Sequence, residues 1–292
     1  MRNQRKVLRS LSRLGAISLL AAGLIVGGAT APALAQSSTA STIASGAALT
    51  KYAASAHGYV ALGDSFTAGQ GAPPYANDGT ACLRSQRLGY PAMAAVVGRY
   101  RLVANNACSG AGTADVPAQL LGVDPGTTLV TLTVGGIDAG SNLVLAACAP
   151  DPASPVCSGA IANSVAQLGV LAPQLVATYG LVAATLPNAT VAVLSYPRQF
   201  QPGLSPLGDV LNGATDALNA VIAGSVAAVA NTHVRFVDAT QEFAGHGIGA
   251  RVPFFAFDPL NPLAPANFHP NALGNALGYT RALINEGLLL RR

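Results

Sequence analysis

The sequence predicts an α/β domain built on a parallel sheet over residues 58–292. Three observations predict it. Four short β-rich runs, 58–62, 128–134, 189–195 and 233–238, are almost continuously apolar rather than alternating. Such runs fit strands covered on both faces. Longer helical stretches separate them. Finally, 51% of the 292 residues are hydrophobic and only 10% are charged, which excludes a disordered chain and a coiled coil.

The first run, 58–62, passes straight into Gly63-Asp64-Ser65-Phe66-Thr67-Ala68-Gly69. A helix is predicted over 90–97, opened by Pro91. A long Ala/Leu/Val helix is predicted over 158–186 with a kink at Pro173, a third over 207–230, and a last one over 271–290. Alanine favours helix and packs closely on a sheet.

Before the domain stands a leader. Five of the 16 basic residues (Arg2, Arg5, Lys6, Arg9, Arg13) fall in the first 13 positions, and no acidic residue precedes Asp64. An uncharged run and an Ala-Leu-Ala ending at Ala35 follow. This order predicts a secretory signal over 1–35, cleaved after Ala35, and a Ser/Ala/Thr-rich flexible lead-in over 36–57. Without the five leader residues, 11 basic face 12 acidic residues, a balance of −1. The basic pI of 9.0 therefore belongs to the leader, and no nucleic-acid partner is expected. No later run reaches 18 consecutive apolar residues, so the exported chain is not expected to span a membrane.

Cys82, Cys108, Cys148 and Cys157 all lie in the exported part, where an even count suggests two disulfides. Three pairings are open. Joining Cys148 to Cys157 closes a short loop with three prolines and leaves Cys82 for Cys108. No C-x-x-C run or nearby histidine supports a metal site.

Ligands of open α/β sheets sit beyond the carboxyl ends of the strands. Ser65 stands just there, on a turn flanked by Gly63 and Gly69. A serine hydroxyl needs a base to take its proton. Of four histidines, His57 lies in the lead-in and His233 opens a strand. His269, in Asn267-Phe268-His269-Pro270, and His246, in a glycine-rich loop, remain.

Together these segments resemble the SGNH (GDSL) hydrolases, and within them the secreted actinobacterial lipase, esterase and phospholipase branch. The resemblance runs from about residue 59 to 279. Gly63-Asp64-Ser65-Phe66 resembles the nucleophile block, with Ser65 as nucleophile. The segment 106–116, Asn106-Ala107-Cys108-Ser109-Gly110-Ala111 and on to Asp115-Val116, resembles the second, in which the Gly110 N–H joins that of Ser65 as an oxyanion donor. The segment 131–138, Thr131-Leu132-Thr133-Val134-Gly135-Gly136-Ile137-Asp138, resembles the third, and Phe268-His269-Pro270 the last, with His269 as general base. Ser195-Tyr196-Pro197-Arg198 and Phe243-Ala244-Gly245-His246 resemble structural segments of that branch. The implied fold is a three-layer α/β/α sandwich resembling flavodoxin.

Two positions depart from the pattern. Ile137 stands where the family has an asparagine that donates to the oxyanion. Losing one such donor costs about 2.7–4 kcal/mol. Asn142 and Asn106 are the nearby replacements. Ala266 stands where the family has the triad aspartate. By resemblance to Ser–His dyads, the Ala266 carbonyl is expected to orient His269; Asp258 is the carboxylate alternative. Asp64 is read as shaping the turn.

The resemblance implies a secreted serine ester hydrolase acting on lipids or small acyl esters, a monomer without metal or cofactor, touching a lipid surface transiently. An acyltransferase or glycan deacetylase, and a weakened hydrolase-like binder, stay open. For the apolar loop over 243–268 (Val252, Phe254, Phe255, Phe257, Leu260, Leu263) two readings stand as alternatives: it lines an acyl pocket or meets a lipid surface, or it packs on the core.

Overall fold

The computed structural model describes residues 57–261 and 264–289. The leader, its cleavage site, most of the lead-in, Leu263 and the end of the predicted last helix lie outside the described residues.

Five strands form one parallel sheet: β1 (Gly58–Gly63), β2 (Arg101–Asn105), β3 (Thr127–Thr133), β4 (Thr190–Leu194) and β5 (Val234–Val237). Their order is β2-β1-β3-β4-β5. The chain runs from β1 outward to β2, then returns past β1 to β3. That reversal opens a crevice at the carboxyl ends of β1 and β3. Gly63 lies in register with Thr133. The segments leaving these two strands, Asp64-Ser65 and Gly135-Gly136-Ile137, therefore start side by side.

Two helical layers sandwich the sheet. Side chains alternate along β1, so Val60 and Leu62 enter one core and Tyr59 and Ala61 the other. The first core is closed by α5 (Pro155–Thr185) and α6 (Pro206–Ala228), through Leu171, Leu175, Tyr179, Leu218 and Ile222. The second is closed by α2 (Tyr90–Gly98) and α7 (Thr280–Asn285), with Phe243, Phe254 and Phe255. Short helices α1 (Ser65–Ala68) and α3 (Val116–Gln119) complete the connections near β1, and α4 (Ser141–Cys148) follows β3.

The helix ends follow from local chemistry. Ser154 and Ser205 cap α5 and α6, accepting the N–H groups of Cys157 and Gly208, and each is followed by proline. Proline at the first helical position sacrifices no bond, so both helices begin before the predicted residues 158 and 207. Pro173 lies inside α5 without ending it. This helix is long and apolar enough to cross a membrane by length and composition. Its Leu171, Leu175, Tyr179 and Val182 are instead buried in the core beneath the sheet.

The predicted helix at 271–290 is shorter and irregular. Gly274–Tyr279 forms a π-helical turn ahead of α7. The widened turn accommodates Phe243, whose Cε2 lies 2.2 Å from where a Cβ at Gly278 would be. Strand β2 and helix α4 have no counterpart among the predicted elements. The disulfides join Cys82 to Cys108 and Cys148 to Cys157, and the second ties α4 to the start of α5.

Candidate active site

Ser65 is the first residue of α1. Gly63 has φ +109°, and a Cβ there would lie 2.0 Å from Thr133 O, so only glycine lets the chain leave β1 this close to β3. Asp64 is extended, and its carboxylate accepts the Phe66 N–H at 3.0 Å, capping the turn. Gly69 ends it in the left-handed region. The Ser65 N–H, at the start of this helix, has no acceptor among the described residues.

His269 arrives from the far end of the chain. Its Nε2 lies 2.8 Å from Ser65 Oγ across 204 residues of sequence. Its Nδ1 lies 2.7 Å from the Asn267 carbonyl. A carbonyl only accepts, so Nδ1 carries the proton and the Nε2 lone pair faces the serine hydroxyl. Burial lowers the His269 pKa to about 4, against the opposing pull of the Asn267 hydrogen bond. The imidazole is therefore neutral at pH 7, the form in which an imidazole can accept a proton.

The orienting carbonyl is a correction to the expectation for Ala266. The Ala266 oxygen receives the main-chain N–H of His269 itself, at 3.3 Å, in a tight turn. The ring reaches Asn267 instead, two residues back. Asn267 is held on both sides: Oδ1 accepts the Asp258 N–H at 2.8 Å, and Nδ2 donates to Asn261 O at 2.9 Å. Phe268 takes φ +63° between them, an uncommon conformation for a bulky residue. Asp258 is exposed and caps the Leu260 N–H rather than meeting the histidine. His246 stacks on Phe254 with ring centroids 3.8 Å apart and reaches Val252 O through Nδ1, a packing role.

Ser65 and His269 open into a predominantly apolar cleft. Its walls include Phe66, Ile137, Val144, Leu145, Val165, Leu168, Phe200, Leu211, Leu218 and Phe268. Most of these come from α4, α5 and α6, not from the 243–268 loop. In that loop Phe254 and Phe255 are buried against Phe243. Phe257 packs on Phe268, and Leu260 is exposed. No signal in one sequence marks Val144, Leu168 or Leu211 as cleft residues, because they look like ordinary apolar positions of helices.

The candidate oxyanion donors divide. Gly110 has φ +81° and lies in an adjoining depression with Arg84, Cys108 and Ser109, outside the lining of the cleft. Its N–H has no acceptor among the described residues. The Gln70 side chain accepts from Ser109 Oγ and donates to Pro265 O at 2.5 Å, linking this depression to the segment that carries His269. The Asn106 amide is committed to Gln119 O at 2.8 Å. Asn142 lines the cleft together with Ile137.

Next to Ser65 lies a buried carboxylate. Asp64 is 2% exposed. It accepts Thr133 Oγ1–H at 2.6 Å, the Tyr196 hydroxyl, and the Phe66 N–H. Burial raises its pKa to about 6, while the hydrogen bonds from Thr133, Tyr196 and the backbone oppose the rise. Asp64 is thus ionised at neutral pH. The sequence marked Tyr196 only as part of a structural segment, not as a partner of this carboxylate.

Ser65 and His269 thus meet at the switch point of a doubly wound parallel sheet of the α/β/α sandwich class. The GDSL-like lipase/acylhydrolase family model matches residues 61–277, and the chain belongs to that family. It is similar to Lipase 1 of Streptomyces coelicolor, with 35% identity over 257 residues, 82% of this chain and 93% of that one. A lipase of Streptomyces rimosus is 35% identical over 264 residues, 87% of this chain and 96% of the relative. The solved extracellular lipase of Streptomyces rimosus superposes with a TM-score of 0.70 at 36% identity, covering 79% of this chain and 99% of that one. The phospholipase A1 of Streptomyces albidoflavus gives 0.70 at 32% identity, with 79% and 99% covered. The protein is a carboxylic ester hydrolase of this family.

Proposed function

We propose that the protein is a secreted lipase or esterase that cleaves acyl esters through a Ser65–His269 dyad and an acyl-enzyme. The observation that carries this reading is the 2.8 Å contact between Ser65 Oγ and His269 Nε2 at the mouth of an apolar cleft. His269 Nε2 takes the hydroxyl proton as Ser65 Oγ attacks the ester carbonyl carbon. The negative charge passes to the carbonyl oxygen, where the N–H groups of Ser65 and Gly110 are the proposed donors. The C–O bond to the alcohol breaks, and His269 returns its proton to the leaving oxygen. Water, deprotonated by the same nitrogen, then hydrolyses the acyl-enzyme. The Asn267 carbonyl holds the tautomer throughout, but as a neutral acceptor it stabilises imidazolium less than a carboxylate.

The names of its relatives, lipases and a phospholipase A1, support a lipid ester substrate, and the apolar lining of the cleft suits an acyl chain. The extracellular lipase among them and the leader at 1–35 support secretion.

The test is a series of p-nitrophenyl esters of increasing chain length with the parent enzyme and Ser65→Ala. Turnover by the parent and its loss by about 10^4-fold or more in Ser65→Ala is expected. Equal rates in the two would remove the proposal.

A further inference from the structure

Tyr196 follows β4 and is fixed at both ends. Its main chain is clamped by Asn219 of α6: the Tyr196 N–H donates to Oδ1 at 2.8 Å, and Nδ2 donates to Tyr196 O at 2.7 Å. Its ring is 5% exposed and packs edge-on against Phe66, with centroids 5.1 Å apart. Phe66 in turn lies 5.2 Å from the His269 ring. The phenol oxygen does two things at once. It donates to Asp64 Oδ2, beside the nucleophile, and it accepts the Gly136 N–H at 3.2 Å, beside Ile137. A Cβ at Gly136 would stand 3.5 Å from the phenol, so the loop lies directly on the tyrosine.

We propose that Tyr196 is a positioning residue that locks the Gly135-Gly136-Ile137 loop to the Asp64-Ser65 turn through its single hydroxyl. This rests on the ester-hydrolase reading and deepens it. Residue 137 has no donor side chain, so charge on the substrate oxygen must be met by groups whose placement is fixed elsewhere, chiefly main-chain N–H groups. The Ile137 N–H, one residue beyond the locked Gly136, has no acceptor among the described residues. A hydroxyl that both donates and accepts spans the two turns; a phenyl ring of the same shape cannot. Displacing reacting groups by about 1 Å costs on the order of a hundredfold in rate.

The test is Tyr196→Phe in the full chain, with Tyr179→Phe as control. Tyr179 is buried in the core, and its hydroxyl has no hydrogen-bond partner among the described residues. For Tyr196→Phe, kcat on a short ester is expected to fall about ten- to a hundredfold with KM changed less than twofold. Inhibition by an alkylboronic acid, a tetrahedral mimic, should weaken by the same factor. Both are referred to active sites titrated with a phosphonate, so unfolded protein drops out. Tyr179→Phe should match the parent in both. The proposal is overturned if Tyr196→Phe keeps kcat within twofold, if KM carries the loss, or if boronate affinity is unchanged. Failure of the hydrolase reading would show separately, as activity surviving in Ser65→Ala.

Discussion

The two ends of the cleft are built differently. At the sheet end, Asp64 and Ser65 are 2% and 8% exposed; Asp64, Thr133, Tyr196 and Gly136 are joined by hydrogen bonds, and the Asn267 carbonyl separately holds His269. At the other end, α4 and the first half of α5 line the cleft with Val144, Leu145, Val165 and Leu168, while Leu143 and Val165 are 65% and 54% exposed. The main ties of this end are the Cys148–Cys157 disulfide, the Ser164 hydroxyl on Ala139 O at 2.6 Å, and a small cluster with Leu207 and Leu211. The contrast teaches a division of labour. On the proposed mechanism, the buried, hydrogen-bonded end carries the steps common to every ester, and the more exposed helical wall sets which acyl group fits. Changes at the first end should scale all substrates equally, whereas changes at the second should alter their ranking.

The largest expected effect is at the buried end. His269→Ala should lower kcat by about 10^4-fold or more for short and long esters alike; a loss confined to long esters would erase the distinction. Ile137→Asn comes next. A restored side-chain donor should raise kcat about ten- to a hundredfold across the series, checked by steady-state kinetics. No gain would mean that another donor, for which Asn142 is placed, already serves.

The pH dependence separates two groups of the same end. Burial lowers the His269 pKa to about 4 and raises that of Asp64 to about 6. The titratable groups that feel the Asp64 charge are Tyr90, Tyr179, Tyr196 and Tyr279, all neutral in this range. Protonating Asp64 removes an acceptor from the Thr133 and Tyr196 hydroxyls, so kcat/KM should fall below a midpoint near 6, about tenfold per pH unit at most. A limb only near 4 would leave Asp64 as a turn-shaper. For stability the sign is the reverse. Asp64 binds its proton more readily folded than unfolded, so its burial penalty is present above pH 6 and is relieved as pH falls through 6 toward 4.

At the helical wall, Leu168→Phe should shorten the cleft. An approximately tenfold loss of kcat/KM for dodecanoyl esters, with butanoyl esters within twofold, is expected. The smallest effect on rate belongs to Cys148→Ser with Cys157→Ser. Releasing this loop should lower stability by about 2–3 kcal/mol in denaturant unfolding and flatten chain-length preference a few-fold, leaving short-ester kcat unchanged.

The same contrast decided what was legible in the sequence. The strands from Gly58, Thr127 and Thr190 are buried almost throughout, and their apolar runs announced them, as Val234, Phe236 and Val237 announced the half-buried edge strand β5. Strand β2 was not announced, because Arg101 is exposed and none of its other residues is fully buried, so the segment carries no fully apolar run. Helix α4 was not announced either; only Val144 and Cys148 of it are buried, so it has no apolar stripe to read. Ser65 and His269 were legible because motif and turn chemistry coincide. The choice of Asn267 over Ala266 was not, since it depends on how Asp258 and Asn261 pin one side chain. The role of Tyr196 needed the register of β1 against β3 and the packing of α6, which no local pattern carries.

The most direct measurement is covalent trapping. The intact enzyme is treated with a p-nitrophenyl alkylphosphonate, p-nitrophenolate release is followed, and the product is mapped by peptide mass spectrometry. One phosphonyl group per chain, on the peptide containing Ser65, formed at least a hundredfold more slowly in His269→Ala, is the expected result. Labelling at another residue, or labelling of Ser65 at an unchanged rate without the imidazole, would contradict the claim that these two side chains act as a pair.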